Sequence, residues 1–104
     1  MPIEMSVARF ASLAASQPEN ELFRFSLAQA LLKESRAAEA LPHLQSCAER
    51  KADWMIPRVL LGKTLLQLGR KAEARPWLEQ ALALAIAQNH EDPERELRAL
   101  LQEY

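Results

Sequence analysis

Apolar and polar positions along this chain recur with a helical period rather than a strand period. Leu27, Ala28 and Leu31 follow Arg24 at spacings of three, four and seven residues, which is one face of an α-helix. Ala40, Leu44, Cys47 and Ala48 repeat that spacing. Leu97, Leu100, Leu101 and Tyr104 make a third stripe, with Arg95, Arg98, Gln102 and Glu103 on the polar side. Residues 82–87, Leu-Ala-Leu-Ala-Ile-Ala, are apolar all round and predict a helix that is covered on every side. Ser35 and Gly69 interrupt the helical patterns and predict tight turns. Leu and Ala supply 18 residues each, whereas Val, Ile and Thr together supply six, too few to build a sheet. The chain reads as all-α, with about six helices.

The pattern repeats. With residues 18–51 placed over 52–85, ten pairs are identical: Arg24/Arg58, Leu27/Leu61, Leu31/Leu65, Leu32/Leu66, Arg36/Arg70, Ala38/Ala72, Glu39/Glu73, Ala40/Ala74, Pro42/Pro76 and Leu44/Leu78. Chance would give about three in so Leu- and Ala-rich a chain. Small residues stay small at Ala28/Gly62, Ser35/Gly69 and Cys47/Ala81, as a close approach of two helices requires. Each repeat is therefore a helical hairpin. The segments are a helix over 3–17, a first repeat over 18–51, a second repeat over 52–88 with an extended second helix, and a last helix over 91–104. Asp92 and Pro93 predict the start of that last helix, as N-cap and first helical residue, with Glu94 and Glu96 in its first turn. Carried forward, the 34-residue register fails there, because Glu96 falls on the small-residue position.

A 34-residue helical hairpin with this pattern resembles the tetratricopeptide repeat. The residues that carry the resemblance are L-A-Q-A-L at 27–31 and L-G-K-T-L at 61–65, then S-R-A-A-E-A at 35–40 and G-R-K-A-E-A at 69–74. Arg24 and Arg58 depart from the aromatic usual there, and Ala52 and Ile86 from the usual proline. Carried backward, the register puts Ser6, Phe10, Leu13 and Pro18 on acceptable family residues, so 3–17 looks like the second helix of a half repeat. The resemblance implies one domain over 1–104, a right-handed α-solenoid of antiparallel helix pairs closed by a C-terminal capping helix. It also implies a concave peptide-binding groove lined by Leu22, Phe25, Gln29, Leu32 and Lys33 of the first repeat and Ile56, Val59, Lys63, Leu66 and Gln67 of the second. Read without the resemblance, the apolar arc of each first helix is simply wider than one buried face needs. The extra width is either packing against flanking helices or an apolar groove edged by Gln29, Lys33 and Lys63. The family's clamp for a C-terminal carboxylate is absent, since Phe25, Gln29 and Leu60 stand at its lysine and asparagine positions.

Charge and candidate chemistry narrow the function. Thirteen Lys and Arg face 14 Asp and Glu in 104 residues, without the basic excess of a nucleic-acid binder. No apolar run approaches the ~20 residues of a membrane-spanning helix. Met1-Pro2-Ile3-Glu4 does not open like a secretory signal, and a cytoplasmic protein is expected. His43 and His90 lack further ligands at metal spacing, and the single Cys47 falls on a core position. The carboxylates Glu19, Glu21, Glu91, Asp92, Glu94 and Glu96 lie at helix starts, where they complement the helix dipole. No metal, cofactor or enzyme activity is expected. Pro42 and Pro76 mark an exposed, slightly kinked helix face, and Arg24 and Arg58 are expected to pack their stems while their heads reach water or a glutamate. The expected function is non-catalytic binding of a protein, as a peptide or amphipathic helix with apolar anchors and acidic character, in an adaptor or chaperone-like role. The alternatives are a homo-oligomer that buries its groove or ends on itself, and a helper subunit of a separately encoded enzyme.

Overall fold

The computed structural model describes residues 3–103, with side chains from Val7 onward. Among the described residues there are six helices and no strand: α1 (Ile3–Ser16), α2 (Glu21–Lys33), α3 (Ala37–Arg50), α4 (Met55–Gln67), α5 (Lys71–Ala87) and α6 (Glu91–Glu103). The chain divides after Arg50 into two compact units. In the first, α2 packs against both α1 and α3. In the second, α5 packs against both α4 and α6.

The hairpin turns have a backbone cause. Ser35 (φ 60°) and Gly69 (φ 76°) adopt the left-handed conformation that ends a helix. The Arg36 N–H donates to the Leu31 carbonyl at 2.9 Å and the Ser35 N–H to the Leu32 carbonyl at 3.1 Å. The second hairpin repeats both bonds, Arg70 to Leu65 at 2.8 Å and Gly69 to Leu66 at 3.0 Å. Asn89 (φ 58°) closes α5 in the same way. A serine at positive φ is strained, so Ser35→Gly is expected to raise stability by about 0.5 kcal/mol, strain relief less the entropy glycine adds to the unfolded chain. A urea unfolding midpoint no higher than that of the parent would overturn this.

The shared Arg-x-x-Glu of each turn is also explained. Arg36 holds Glu39 through two 2.7 Å bonds, and Arg70 holds Glu73 through two more of 2.7 Å. Each pair staples the first turn of a second helix, and the arginine holds its glutamate's carboxyl below the usual range.

Small residues stand where the helices meet. Ala28, Ala40, Leu44, Cys47 and Ala48 are fully buried in the first unit, as are Ala74, Ala81, Ala85 and Leu97 in the second. A Cβ on Gly62 would come within 2.6 Å of Leu78 Cγ and press on Leu78 Cδ2, so α4 and α5 approach too closely there for a side chain. Cys47 is a core residue whose thiol is pushed up to about 11 by burial. At pH 8 iodoacetamide is therefore expected to label Cys47 only after unfolding in urea. Complete native labelling within minutes, read by mass, would contradict that.

Three expectations are corrected. The arginine heads do not reach water or a glutamate in both repeats. Arg58 is buried at 8% exposure and donates Nη1 to the carbonyls of Lys51 (3.1 Å) and Trp54 (3.0 Å) and Nε to Gln80 Oε1 (3.1 Å). It ties the approach to α4 onto α5. Residues 82–87 are not covered on every side: Ala85 is buried, whereas Ala83, Ile86 and Ala87 are exposed. Alanine's small apolar area lets a helix run past its partner at little cost in exposed surface. The last helix starts at Glu91, so Asp92 and Pro93 lie within its first turn. Proline fits there because the first N–H groups of a helix have no partner to lose. Pro42 and Pro76 lie inside α3 and α5 on exposed positions, as expected. Tyr104 and the side chain of Ser6 lie outside the described residues.

The failure of the 34-residue register has a structural origin. α5 is 17 residues long where α3 is 14. α6 consequently starts 36 residues after α4, at Glu91 against Met55. In that shifted register Leu97 takes the place of Leu61, and both are buried. Arg98 falls on the close-approach position of Gly62, and it is exposed.

Candidate functional site

The face left over by the core is set, in each unit, by the register of its first helix. In α2 the side chain of Asn20 accepts the Leu22 N–H at 3.1 Å and fixes the first turn. Leu27, Ala28, Ala30 and Leu31 then point into the core. Leu22, Gln29 and Lys33 are left exposed, and Phe25 and Leu32 half-buried. In α4 the buried set is Met55, Pro57, Arg58, Leu61, Gly62, Thr64 and Leu65. Ile56 and Gln67 are left exposed, and Val59, Lys63 and Leu66 half-buried. All ten residues singled out in the sequence thus lie wholly or partly at the surface. Leu22 (59% exposed) and Ile56 (44%) occupy the same place in the two repeats, and both are large apolar side chains in water.

The second unit brings several of these residues together. Lys63, Leu66 and Gln67 of α4 line a pocket of about 410 Å³ with Glu96 and Leu100 of α6. Lys63 Nζ lies 2.7 Å from Glu96 Oε1. Both side chains keep much of their surface in water, so the pair is worth only a few tenths of a kcal/mol to about 1 kcal/mol. It is easily exchanged for another carboxylate. The sequence shows Glu96 only as a first-turn acid and Leu100 only as part of an apolar stripe, because which α4 side chains they meet is decided by the packing of α6 and not by its own pattern.

Little else in this geometry suggests chemistry. Among the described residues no three His, Cys, Asp or Glu side chains are placed to hold a metal. No described helix is long and apolar enough to cross a membrane.

Hairpins of this length and turn geometry define a helical-repeat protein. No family profile matches the chain. A TPR repeat-containing protein of Pseudomonas aeruginosa is 32% identical over 97 residues, covering 93% of this chain and 92% of that one. A protein of Bordetella parapertussis with a known solution structure superposes at a TM-score of 0.75 with 29% identity, covering 93% of this chain and 84% of the other. The chain belongs to the tetratricopeptide-repeat proteins, whose members are in general protein-interaction modules.

Proposed function

We propose that the chain is a non-catalytic binding module for a peptide or amphipathic helix with apolar anchors. The ligand seats on the strip Leu22, Phe25, Gln29, Leu32 and Lys33 and on the strip Ile56, Val59, Lys63, Leu66 and Gln67. In the family, these positions face the concave groove. The observation that carries the reading is the paired exposure of Leu22 and Ile56, two large apolar side chains at one repeat position. Fully burying such a side chain is worth roughly 1.5–3 kcal/mol, and with about half of each still in water a ligand that covers them recovers about half of that. Lys33, and Lys63 once released from Glu96, give the ligand's acidic residues a cation to meet. We further propose that 1–104 is one tetratricopeptide-type domain that acts in the cytoplasm as an adaptor.

Phe25 is half-buried, so truncating it perturbs packing and binding together. Leu22 and Ile56 are the cleaner probes. Peptides selected on the immobilised chain from a random display library are expected to share apolar residues at i, i+3 or i+4 with a nearby acid. Leu22→Asp with Ile56→Asp is expected to weaken them more than tenfold while the melting temperature moves by only a few degrees. Undiminished binding to the double variant would overturn the strip assignment. A mass near two chains by light scattering, lost in the same variant, would instead assign the strips to self-association.

A further inference from the structure

Arg24 and Arg58 hold the same place in the two repeats, yet their guanidinium groups meet different surroundings. Arg58 has three acceptors, Gln80 Oε1 and the carbonyls of Lys51 and Trp54. The residue of the first repeat that matches Gln80 is Ser46, whose oxygen lies two bonds closer to the backbone. Arg24 Nη1 donates to Ser46 Oγ at 3.3 Å, its single hydrogen bond among the described residues. A guanidinium carries five N–H donors in a planar fork, so most of those on Arg24 remain to be used.

Beside this half-buried arginine lies a pocket of about 350 Å³, lined by Ala11, Ala14 and Ala15 of α1, Arg24 and Leu27 of α2, and His43 of α3. Its walls are methyl groups and a leucine. Arg24 is its permanent charge, and among the described residues no carboxylate lines it. Burial, and then the nearby Arg24, push the His43 imidazole below its usual value, and among the described residues its Nδ1 has no hydrogen-bond partner. A preorganised fork with spare donors at the edge of an apolar hollow selects a carboxylate over a neutral polar group, and an apolar tail over a hydrated one.

We propose that the hollow between α1, α2 and α3 binds a small carboxylate with a short apolar group, the carboxylate on Arg24 and the tail against Ala11, Ala14, Ala15 and Leu27. The site uses none of the strip residues and stands independently of the peptide-binding reading.

The test is a titration of the full-length, isotope-labelled chain with sodium hexanoate, followed through the Arg24 side-chain N–H and the His43 ring resonances. Saturable shifts at both residues are expected. Hexanamide, the uncharged isostere, is expected to bind at least tenfold more weakly. Arg24→Gln is expected to abolish the hexanoate response. Ala15→Leu, which fills the hollow from an exposed position, is expected to weaken it tenfold or more in a chain that still folds. Leu22→Asp is expected to leave it unchanged. Acetyl-Gly-Gly-Leu provides the peptide arm: tighter binding than hexanoate identifies a peptide terminus as the natural source, weaker binding a free acid. Equal binding of hexanamide, or hexanoate shifts that persist in Arg24→Gln, would overturn the proposal.

Discussion

Arg58→Met is expected to cost about 2 kcal/mol of folding stability, and Arg58→Ala about 3–4 kcal/mol. Methionine keeps the packed stem and removes the three hydrogen bonds to Lys51, Trp54 and Gln80. Each bond from a charged donor is worth roughly 1.5–3 kcal/mol, and the bonds are not additive because they share one side chain. Part of the loss is offset, because a charge buried without a carboxylate carries its own desolvation cost, and methionine removes it. Alanine adds the loss of the stem's packing. Arg58→Lys is expected to fall between parent and methionine, since an ammonium cannot present a planar fork to three acceptors. The equivalent Arg24→Met is expected to change stability by less than about 1 kcal/mol, because one hydrogen bond at a half-buried site is lost. Urea denaturation of the four variants reads all of this. Equal effects at Arg24 and Arg58 would show that their different surroundings carry no energetic weight.

At the meeting of α4 and α5, Gly62→Leu is expected to destabilise the second unit by about 3 kcal/mol, and Gly62→Ala by about 1 kcal/mol. Alanine normally gains about 1 kcal/mol over glycine inside a helix, so a net loss reports a steric cost larger than that gain. The cost is local: the new Cβ would sit 2.6 Å from Leu78 Cγ, and Leu78 is 1% exposed with no space to retreat. Leu78→Ala alone is expected to cost about 2–5 kcal/mol by leaving a cavity. The added methyl of Gly62→Ala then meets empty space and the steric cost is relieved, so the double variant is expected to lose about 2 kcal/mol less than the sum of the two single changes. Strict additivity in that cycle would place the contact elsewhere.

Much of the local structure was legible in the chain. Helix spans followed from a 3.6-residue apolar period, and the hairpin turns from Ser35 and Gly69, because a left-handed residue is a local backbone property. Ala28, Gly62, Cys47 and Ala81 announced close helix contacts by size alone, since only small side chains fit between touching helices. The candidate strips were legible as surplus apolar width. Their exposure was not, because a pattern shows which residues share a face and not how much of that face a neighbour covers.

What the sequence by itself determined, then, is the class of fold and its repeat: period, turn chemistry and small-residue register are carried by neighbouring residues and need no distant partner. Tertiary structure alone decided the rest. It buried the head of Arg58 against Gln80, 22 residues away, while leaving Arg24 half-satisfied beside Ser46. It left Ile86 in water although its surroundings are apolar in sequence, and it set Glu96 on Lys63 across 33 residues. Each outcome depends on where a second helix ends and which of its side chains arrives. For α6 the three-residue extension of α5 is enough to change that, because three residues are most of a turn and redirect every side chain that follows.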